Sequence, residues 1–234
     1  MRPRPYRLGM LGPSSNTVIE PETWRLLPPD GTVTAHVSRL RVVQISADAQ
    51  SLSQFEMAPV IAAAQLLADA EVDLILWNGT SASWLGPEWD RSLIEAVERH
   101  TGIPATTAVR AIDAELERLS VRRIGLVTPY IEELERRIIA NYRSRRIDVC
   151  AAERLDLTKN TAYADIAPAE IADMVRRVAA SPVRPDAIVI MCTNLAGSSI
   201  AEAVSAELGI PVLDSVRVAV RHCLALLPAL RPGG

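Results

Sequence analysis

One cysteine in the sequence has a setting that suits acid–base chemistry. Cys192 ends an apolar run and is followed by Thr193 and Asn194, which predicts a buried strand whose end presents backbone N–H groups at the start of a helix. Such a setting can hold an anion and can lower the pKa of a thiol. A lone buried cysteine is more often a small apolar side chain with no further role, but this placement favours a functional Cys192. Cys150 and Cys223 lack the placement and are predicted to be structural.

Gly79, Thr80 and Ser81 form a second polar cluster after another apolar run. Threonine and serine are good helix N-caps, and the free N–H groups of a helix start also bind carboxylates. The two roles are compatible, and the sequence does not choose between them. Tyr130 follows a third apolar run, and if its hydroxyl is buried it needs a partner, for which a substrate oxygen would serve.

The sequence lacks the motifs of metal and nucleotide enzymes. It has no GxxxxGK[ST], GxGxxG, HExxH or GxSxG pattern, and its three cysteines have neither CxxC spacing nor an even number. We therefore expect no metal and no cofactor. A single thiol beside an anion-binding turn suits chemistry at the carbon α to a carboxylate: racemisation, decarboxylation or isomerisation through an enediolate-like intermediate.

The composition places the chain among ordinary globular proteins. It has 234 residues, and 49% of them are hydrophobic, so it can bury a core. Its formal net charge of −3 gives no excess of positive charge for binding nucleic acid or an anionic membrane surface. The longest apolar runs fall far short of the ~20 residues of a membrane span. The first five residues lead into a strand pattern and not into a secretory segment. We expect a soluble, cytoplasmic protein that binds neither nucleic acid nor membrane.

The strands and helices that position these residues form one structural unit that occurs twice in the sequence. Short apolar runs, which are typical of strands buried on both faces of a parallel sheet, recur in the same order in each half. The matching segments are 7–13 with 123–129, 73–81 with 186–194, and 102–104 with 209–211. Helical spacing of apolar residues falls between and after them, at 58–70, 92–100, 131–142 and 168–180, with closing helices at 111–119 and 216–227.

Strands alternating with helices predict an α/β fold of two similar parallel-sheet halves related by a pseudo-twofold axis. We place the halves at 1–119 and 120–234, with the closing helix of the first half free to cross to the other, and expect the tail 231–234 to fray. Ligands of open α/β sheets bind beyond the carboxyl ends of the strands. Gly79 and Cys192 then face each other across one cleft between the halves, which is the predicted active site.

The doubled halves, the Gly-Pro-Ser-Ser-Asn-Thr segment beginning at Gly12 and the Cys192-Thr193-Asn194 strand end resemble the aspartate/glutamate racemase superfamily. The resemblance is closer to its maleate cis-trans isomerase and arylmalonate decarboxylase branch, and it spans residues 7 to about 227. Racemases and maleate isomerases of this superfamily use one cysteine from each half. Here the first-half position is Gly79, as in arylmalonate decarboxylase, which has one catalytic cysteine in its second half.

This resemblance implies a role for each residue of the cleft. Cys192 would be the proton donor, and Thr80, Ser81, Tyr130 and the amide of Thr193 would hold the retained carboxylate in a dioxyanion hole. The implied activity is decarboxylation of a malonate-type acid with stereospecific protonation, without a cofactor. The partner would be a small carboxylic or dicarboxylic acid. The resemblance also points to a homo-oligomer, although no sequence feature fixes one.

Three alternatives stay open. Asn16 and Asn160 resemble the substrate-contacting asparagines of maleate isomerase, which favours an isomerase or racemase, although Asn160 by itself is typical of a turn. A missing first-half thiol also fits a protein that binds an organic acid without turning it over. Finally, an aromatic pocket for a bulkier substrate could be built from Trp24, Trp77, Trp84 and Trp89. For Trp77 and Trp84, however, packing between sheet and helix is favoured.

Overall fold

Two four-stranded parallel sheets form the framework of the protein. The structure is a computed structural model that describes residues 4–230. The first sheet contains β1 (Tyr6–Pro13), β2 (Val33–Leu40), β3 (Leu74–Trp77) and β4 (Ala105–Thr107), in the order β2-β1-β3-β4. The second contains β5 (Arg123–Thr128), β6 (Asp148–Arg154), β7 (Ala187–Ile190) and β8 (Val212–Asp214), in the order β6-β5-β7-β8. The same order in both sheets confirms the predicted pair of similar α/β halves.

Helices connect the strands and cover the sheets. The helices are α1 (Ile19–Leu26), α2 (Ala49–Ser53), α3 (Met57–Asp69), α4 (Ala82–Leu85), α5 (Pro87–Thr101), α6 (Ala108–Arg118), α7 (Glu132–Ser144), α8 (Asn160–Ala164), α9 (Pro168–Ala179), α10 (Ala201–Leu208) and α11 (Ser215–Leu230). All six predicted helices are present, and the largest difference is that α5 begins at Pro87, because proline suits the first turn of a helix. The short helix α4 follows directly on the helix start predicted at 79–81, whereas α2, α8 and α10 were not predicted.

The strands differ in burial according to their place in the sheet. All residues of the inner strands β3 and β7 are buried, which explains why their sequences are continuous apolar runs. The strands β2 and β6 were not predicted. Each lies at the edge of its sheet and is only partly buried, so each carries polar residues such as His36 and Glu153 among its apolar ones.

The last helix ties the two halves together. Ala219, Cys223 and Leu227 of α11 share a buried apolar cluster with Leu8 and Met10 of β1 in the first half. The helix also packs against α6 and α1. The cleft between the halves is therefore closed at its base by packed helices, which keeps the two sets of strand ends in a constant relation.

Among residues 4–230, no helix has both the length and the apolar character that a membrane crossing requires. The tail 231–234, predicted to fray, lies outside the described residues.

Candidate active site

The carboxyl ends of the strands from both halves converge on one cavity. The ends of β1 and β3 supply most of its first-half residues, and the ends of β5 and β7 supply most of those from the second half, as expected for ligand sites of open α/β sheets. Every residue predicted for the site lines this cavity. They are Asn16, Gly79, Thr80, Ser81, Tyr130, Asn160, Cys192 and Thr193.

A chain of side-chain hydrogen bonds crosses the cavity from one half to the other. The Thr80 hydroxyl lies 2.7 Å from the Tyr130 hydroxyl, and the Tyr130 hydroxyl lies close enough to the Cys192 sulfur to lower the pKa of the thiol. Each hydroxyl has one hydrogen and can accept as well as donate. Of the two hydroxyl hydrogens, one joins Thr80 to Tyr130 and the other is available to the sulfur or to a ligand.

Burial decides the protonation state of Cys192. The residue is 3% exposed, and its burial raises the pKa of the thiol to about 12, although the Asn194 amide at 3.4 Å, the Tyr130 hydroxyl and the Leu195 amide all lower it. The predicted lowering of this pKa is therefore wrong. The expected helix start is absent, since Cys192 is followed by turns and α10 begins only at Ala201. At neutral pH the side chain is a thiol, which can donate a proton but is a poor nucleophile.

This protonation state predicts a selective resistance to alkylation. With a pKa of about 12, only about one Cys192 in 10⁴ is a thiolate at pH 8. Iodoacetamide at that pH should modify the half-buried Cys150 of β6 well before Cys192. Peptide mass spectrometry over a time course measures both rates. Labelling of Cys192 ahead of Cys150 would contradict the raised pKa.

Several hydrogen-bond donors around the cavity are not used by the protein itself. Within residues 4–230, no acceptor contacts the backbone N–H groups of Gly79, Thr80, Ser81 or Thr193. These groups and the nearby hydroxyls come from both halves and line one space, so they can bond both oxygens of a carboxylate. The Thr193 hydroxyl, by contrast, is already used, because it accepts from one side-chain amide and donates to a carbonyl of the first half.

Both asparagines of the cavity are bonded to the protein framework. The Asn16 Oδ1 accepts from two N–H groups at the start of α1, and its Nδ2 donates to the Thr193 hydroxyl at 3.2 Å. The Asn160 Nδ2 donates to the Ser15 hydroxyl at 2.7 Å. Asn160 begins the helix α8 and does not lie in a simple turn. These amides join the two halves, and each has at most one N–H left for a ligand.

One wall of the cavity is apolar, and most of its residues were not predicted from the sequence. Val42, Ile45 and Phe55 lie in or next to the segment between β2 and α3. The only signal for them is the presence of apolar residues in a connection where polar ones are usual. Trp77, at the end of β3, also lines the cavity.

The tryptophans do not form the aromatic pocket considered above. The Trp84 ring packs edge-on against Phe55, with centroids 5.1 Å apart, and Trp89 packs edge-on against Trp77 at 6.2 Å. The Trp84 and Trp89 rings therefore pack against Phe55 and Trp77 of the cavity wall and do not line the cavity themselves. Trp24 is 59% exposed on α1 and lies outside the set of cavity residues, so that part of the interpretation is wrong.

The cavity is small in this conformation. Its volume is about 20 Å³, which is room for about one water molecule. Two segments that contribute to its lining, 42–45 in the first half and 158–160 in the second, are hydrogen-bonded to each other. The Ile45 amide donates to the Thr158 carbonyl at 2.8 Å, and the Asn160 amide donates to the Val43 carbonyl at 3.1 Å. The cavity must widen before it can hold a dicarboxylic acid.

The rest of the described chain offers no obvious metal site. Within residues 4–230, no group of three or more His, Cys, Asp or Glu side chains is placed to hold a metal ion.

Comparisons with known proteins agree on one group of enzymes. Residues 8–229 match the family model described as arylmalonate decarboxylase. The maleate isomerase of Alcaligenes faecalis is 23% identical over 164 residues, which are 66% of this chain and 65% of that enzyme, so the match spans just under two thirds of the relative.

Solved structures with similar folds come from the same two enzymes. A Nocardia farcinica maleate cis-trans isomerase, a cysteine-to-serine mutant with a covalently bound succinylcysteine intermediate, has a TM-score of 0.87 and 23% identity, covering 95% of this chain and 92% of that one. A liganded arylmalonate decarboxylase with one glycine-to-cysteine and one cysteine-to-serine substitution has a TM-score of 0.83 and 23% identity, covering 98% and 94%. At these identities the likeness establishes the shared two-half fold.

Proposed function

The chain belongs to the arylmalonate decarboxylase family, and from this premise we propose that it decarboxylates a malonate-type acid, with Cys192 delivering a proton to the α carbon. The family places it among cofactor-independent, cysteine-dependent enzymes that act on small carboxylic acids. The observation that carries the finer proposal is the single thiol of the cavity. Cys192 is protonated at neutral pH, and the first half presents Gly79 where a second thiol would be needed for chemistry from both faces.

The two walls of the cavity suit the two carboxylates of such a substrate. The retained carboxylate is held by the free amides, by the Ser81 hydroxyl and by the one hydroxyl hydrogen that the bonded pair of Thr80 and Tyr130 leaves free, and these donors also bear the charge of the enediolate as it develops. The departing carboxylate lies against Val42 and Phe55, where it has no hydrogen-bond partners and is destabilised relative to water. Its departure as neutral carbon dioxide removes this destabilisation.

The proposed reaction balances without a cofactor. The bond between the α carbon and the leaving carboxylate breaks, carbon dioxide departs, and the electron pair stays behind as the enediolate. The Cys192 S–H transfers its proton to the α carbon. The thiolate, held for that moment by the Asn194 amide, then takes a proton from water.

Isomerisation of maleate is the second candidate. It is favoured by the names of the curated relatives and by the presence of Asn16 and Asn160 in the cavity. The solved isomerase carries its intermediate on a cysteine although another cysteine has been replaced, which implies two cysteines in that protein. The single thiol of this cavity and its raised pKa support the decarboxylase instead.

The substrate test has an expected outcome for each candidate. Incubation with 2-substituted malonates should release carbon dioxide and, in D₂O, leave one deuterium on the α carbon of the product, whereas maleate should give no fumarate. Fumarate without carbon dioxide would overturn the proposal in favour of the isomerase. Neither product, with malonates bound unchanged in calorimetry, would indicate a binding protein.

A further inference from the structure

Trp77 contacts two residues of the first-half wall, Ser81 and Gly79. It ends β3, is 1% exposed, and its indole Nε1–H donates to the Ser81 hydroxyl oxygen at 3.1 Å. The six-membered part of the ring also lies against Gly79. A Cβ atom built on Gly79 would lie 2.9 Å from two ring carbons of Trp77 and 3.1 Å from its Nε1.

The indole N–H of Trp77 leaves the Ser81 hydroxyl free to donate a hydrogen bond to a ligand. An indole nitrogen is only a donor, whereas a serine hydroxyl has one hydrogen and two lone pairs. Because Ser81 accepts from Trp77, its own hydrogen remains to be donated, and within residues 4–230 no acceptor receives it. Ser81 is 4% exposed and lines the cavity, so this buried donor lacks the partner that such groups normally have.

The same indole leaves no room for a thiol opposite Cys192. Real Cβ atoms essentially never lie 2.9 Å from a ring carbon, and here the obstacle is a rigid ring that is packed against Trp89 and hydrogen-bonded to Ser81. A side chain at position 79 would therefore require Trp77 to move.

We propose that Trp77 is a positioning residue that commits Ser81 to donating to the substrate carboxylate and keeps the first-half wall free of a second side chain. The inference rests on the proposed binding of a carboxylate at Ser81. It implies a specificity for ligands that present an acceptor to Ser81, so a carboxylate is preferred to a carboxamide whose NH₂ group would face the same hydroxyl.

A double-mutant cycle tests the coupling. Trp77→Phe keeps an aromatic ring and removes the N–H, and it should lower kcat/KM about tenfold, comparable to losing one oriented hydrogen bond to a charged group. In a Ser81→Ala background the same substitution should cost less than about twofold, because the hydroxyl that the indole orients is gone. Equal losses in both backgrounds would mean that Trp77 only fills space, and would overturn the proposal.

Trp84→Phe is the matched control. Trp84 belongs to the same aromatic packing around Phe55, but its buried Nε1 has no hydrogen-bond partner within residues 4–230. Removing that N–H should leave kcat/KM unchanged. A loss equal to that of Trp77→Phe would show that ring volume, and not the bond to Ser81, matters.

A binding version of the cycle separates this inference from the reaction proposed above. In a Cys192→Ala background, which stops proton delivery, calorimetry with phenylmalonate and with its monoamide measures the preference for the carboxylate. Trp77→Phe should reduce that preference about tenfold, and no change would overturn the inference. Binding with no turnover in the unmodified enzyme would remove the decarboxylase proposal alone.

A spectroscopic readout remains if Trp77→Phe does not fold. In protein labelled with ¹⁵N-tryptophan, Ser81→Ala should shift one indole N–H signal and speed its hydrogen exchange, while the signal should stay slow-exchanging when phenylmalonate binds to the unmodified chain. Rapid exchange of that N–H in the ligand complex would show that the bond to Ser81 does not persist, which contradicts the proposal.

Discussion

Cys192→Ser should lower kcat for decarboxylation by about 10²–10⁴-fold, the usual contribution of a general acid, while substrate binding changes little. Serine is close to isosteric with cysteine and can keep the contacts with the Asn194 amide and the Tyr130 hydroxyl. Its hydroxyl is a much weaker acid than the thiol, so protonation of the enediolate becomes slow. Carbon dioxide release gives kcat, and calorimetry gives the affinity.

Cys150→Ser is the matched control for this substitution. Cys150 lies half-buried on the edge strand β6, and its thiol donates to the Ile124 carbonyl at 3.5 Å, a contact that serine can replace. Its kcat should equal that of the unmodified enzyme. If Cys192→Ser also kept the full rate, the proton would have to come from another group and the proposed mechanism would fail.

Most of the fold could be predicted because the same pattern of strands and helices occurs in both halves of the sequence. The apolar runs that became β3 and β7 have the same length, so each supports the assignment of the other. The edge strands β2 and β6 lack such runs because one side of each is exposed. For them, periodicity carries little information.

The candidate site was predictable in its residues but not in its electrostatics. The rule that ligands lie beyond strand ends brought Gly79 and Cys192 together correctly. The pKa of Cys192, however, depends on its burial among residues that are distant in sequence. Val42, Ile45 and Phe55, which line the same cavity, are examples. The residues next to Cys192 in sequence give no information about this burial.

The small cavity and the raised thiol pKa have the same cause. The surrounding residues leave Cys192 only 3% exposed, and desolvation favours the neutral thiol. Exclusion of water also strengthens the hydrogen bonds to a bound carboxylate. Burial therefore favours both the acid and the anion site.

Tyr130→Phe should lower kcat/KM by about 10²–10³-fold, the typical cost of removing one donor from an oxyanion site. The hydroxyl is bonded to Thr80 and lies near the Cys192 sulfur, so its loss disrupts the pair that donates to the enediolate and leaves the Thr80 hydroxyl without this partner. It also removes one of the groups that lower the pKa of Cys192. The pKa of the thiol then rises further, the acid becomes weaker, and both effects act in the same direction on the rate.

Tyr163→Phe separates these effects from the loss of a buried phenol in general. The Tyr163 ring packs edge-on against Tyr130 with centroids 6.0 Å apart, and its hydroxyl donates to the Leu157 carbonyl at 3.1 Å and takes no part in the bond between Thr80 and Tyr130. This variant should lose about 1 kcal/mol of stability, as for one buried hydrogen bond, with kcat/KM nearly unchanged. Denaturant unfolding and carbon dioxide release on both variants give the comparison. Because the two tyrosines share one packing environment, equal rate losses would place the effect in the packing, whereas a loss confined to Tyr130→Phe places it in the hydroxyl that links the halves.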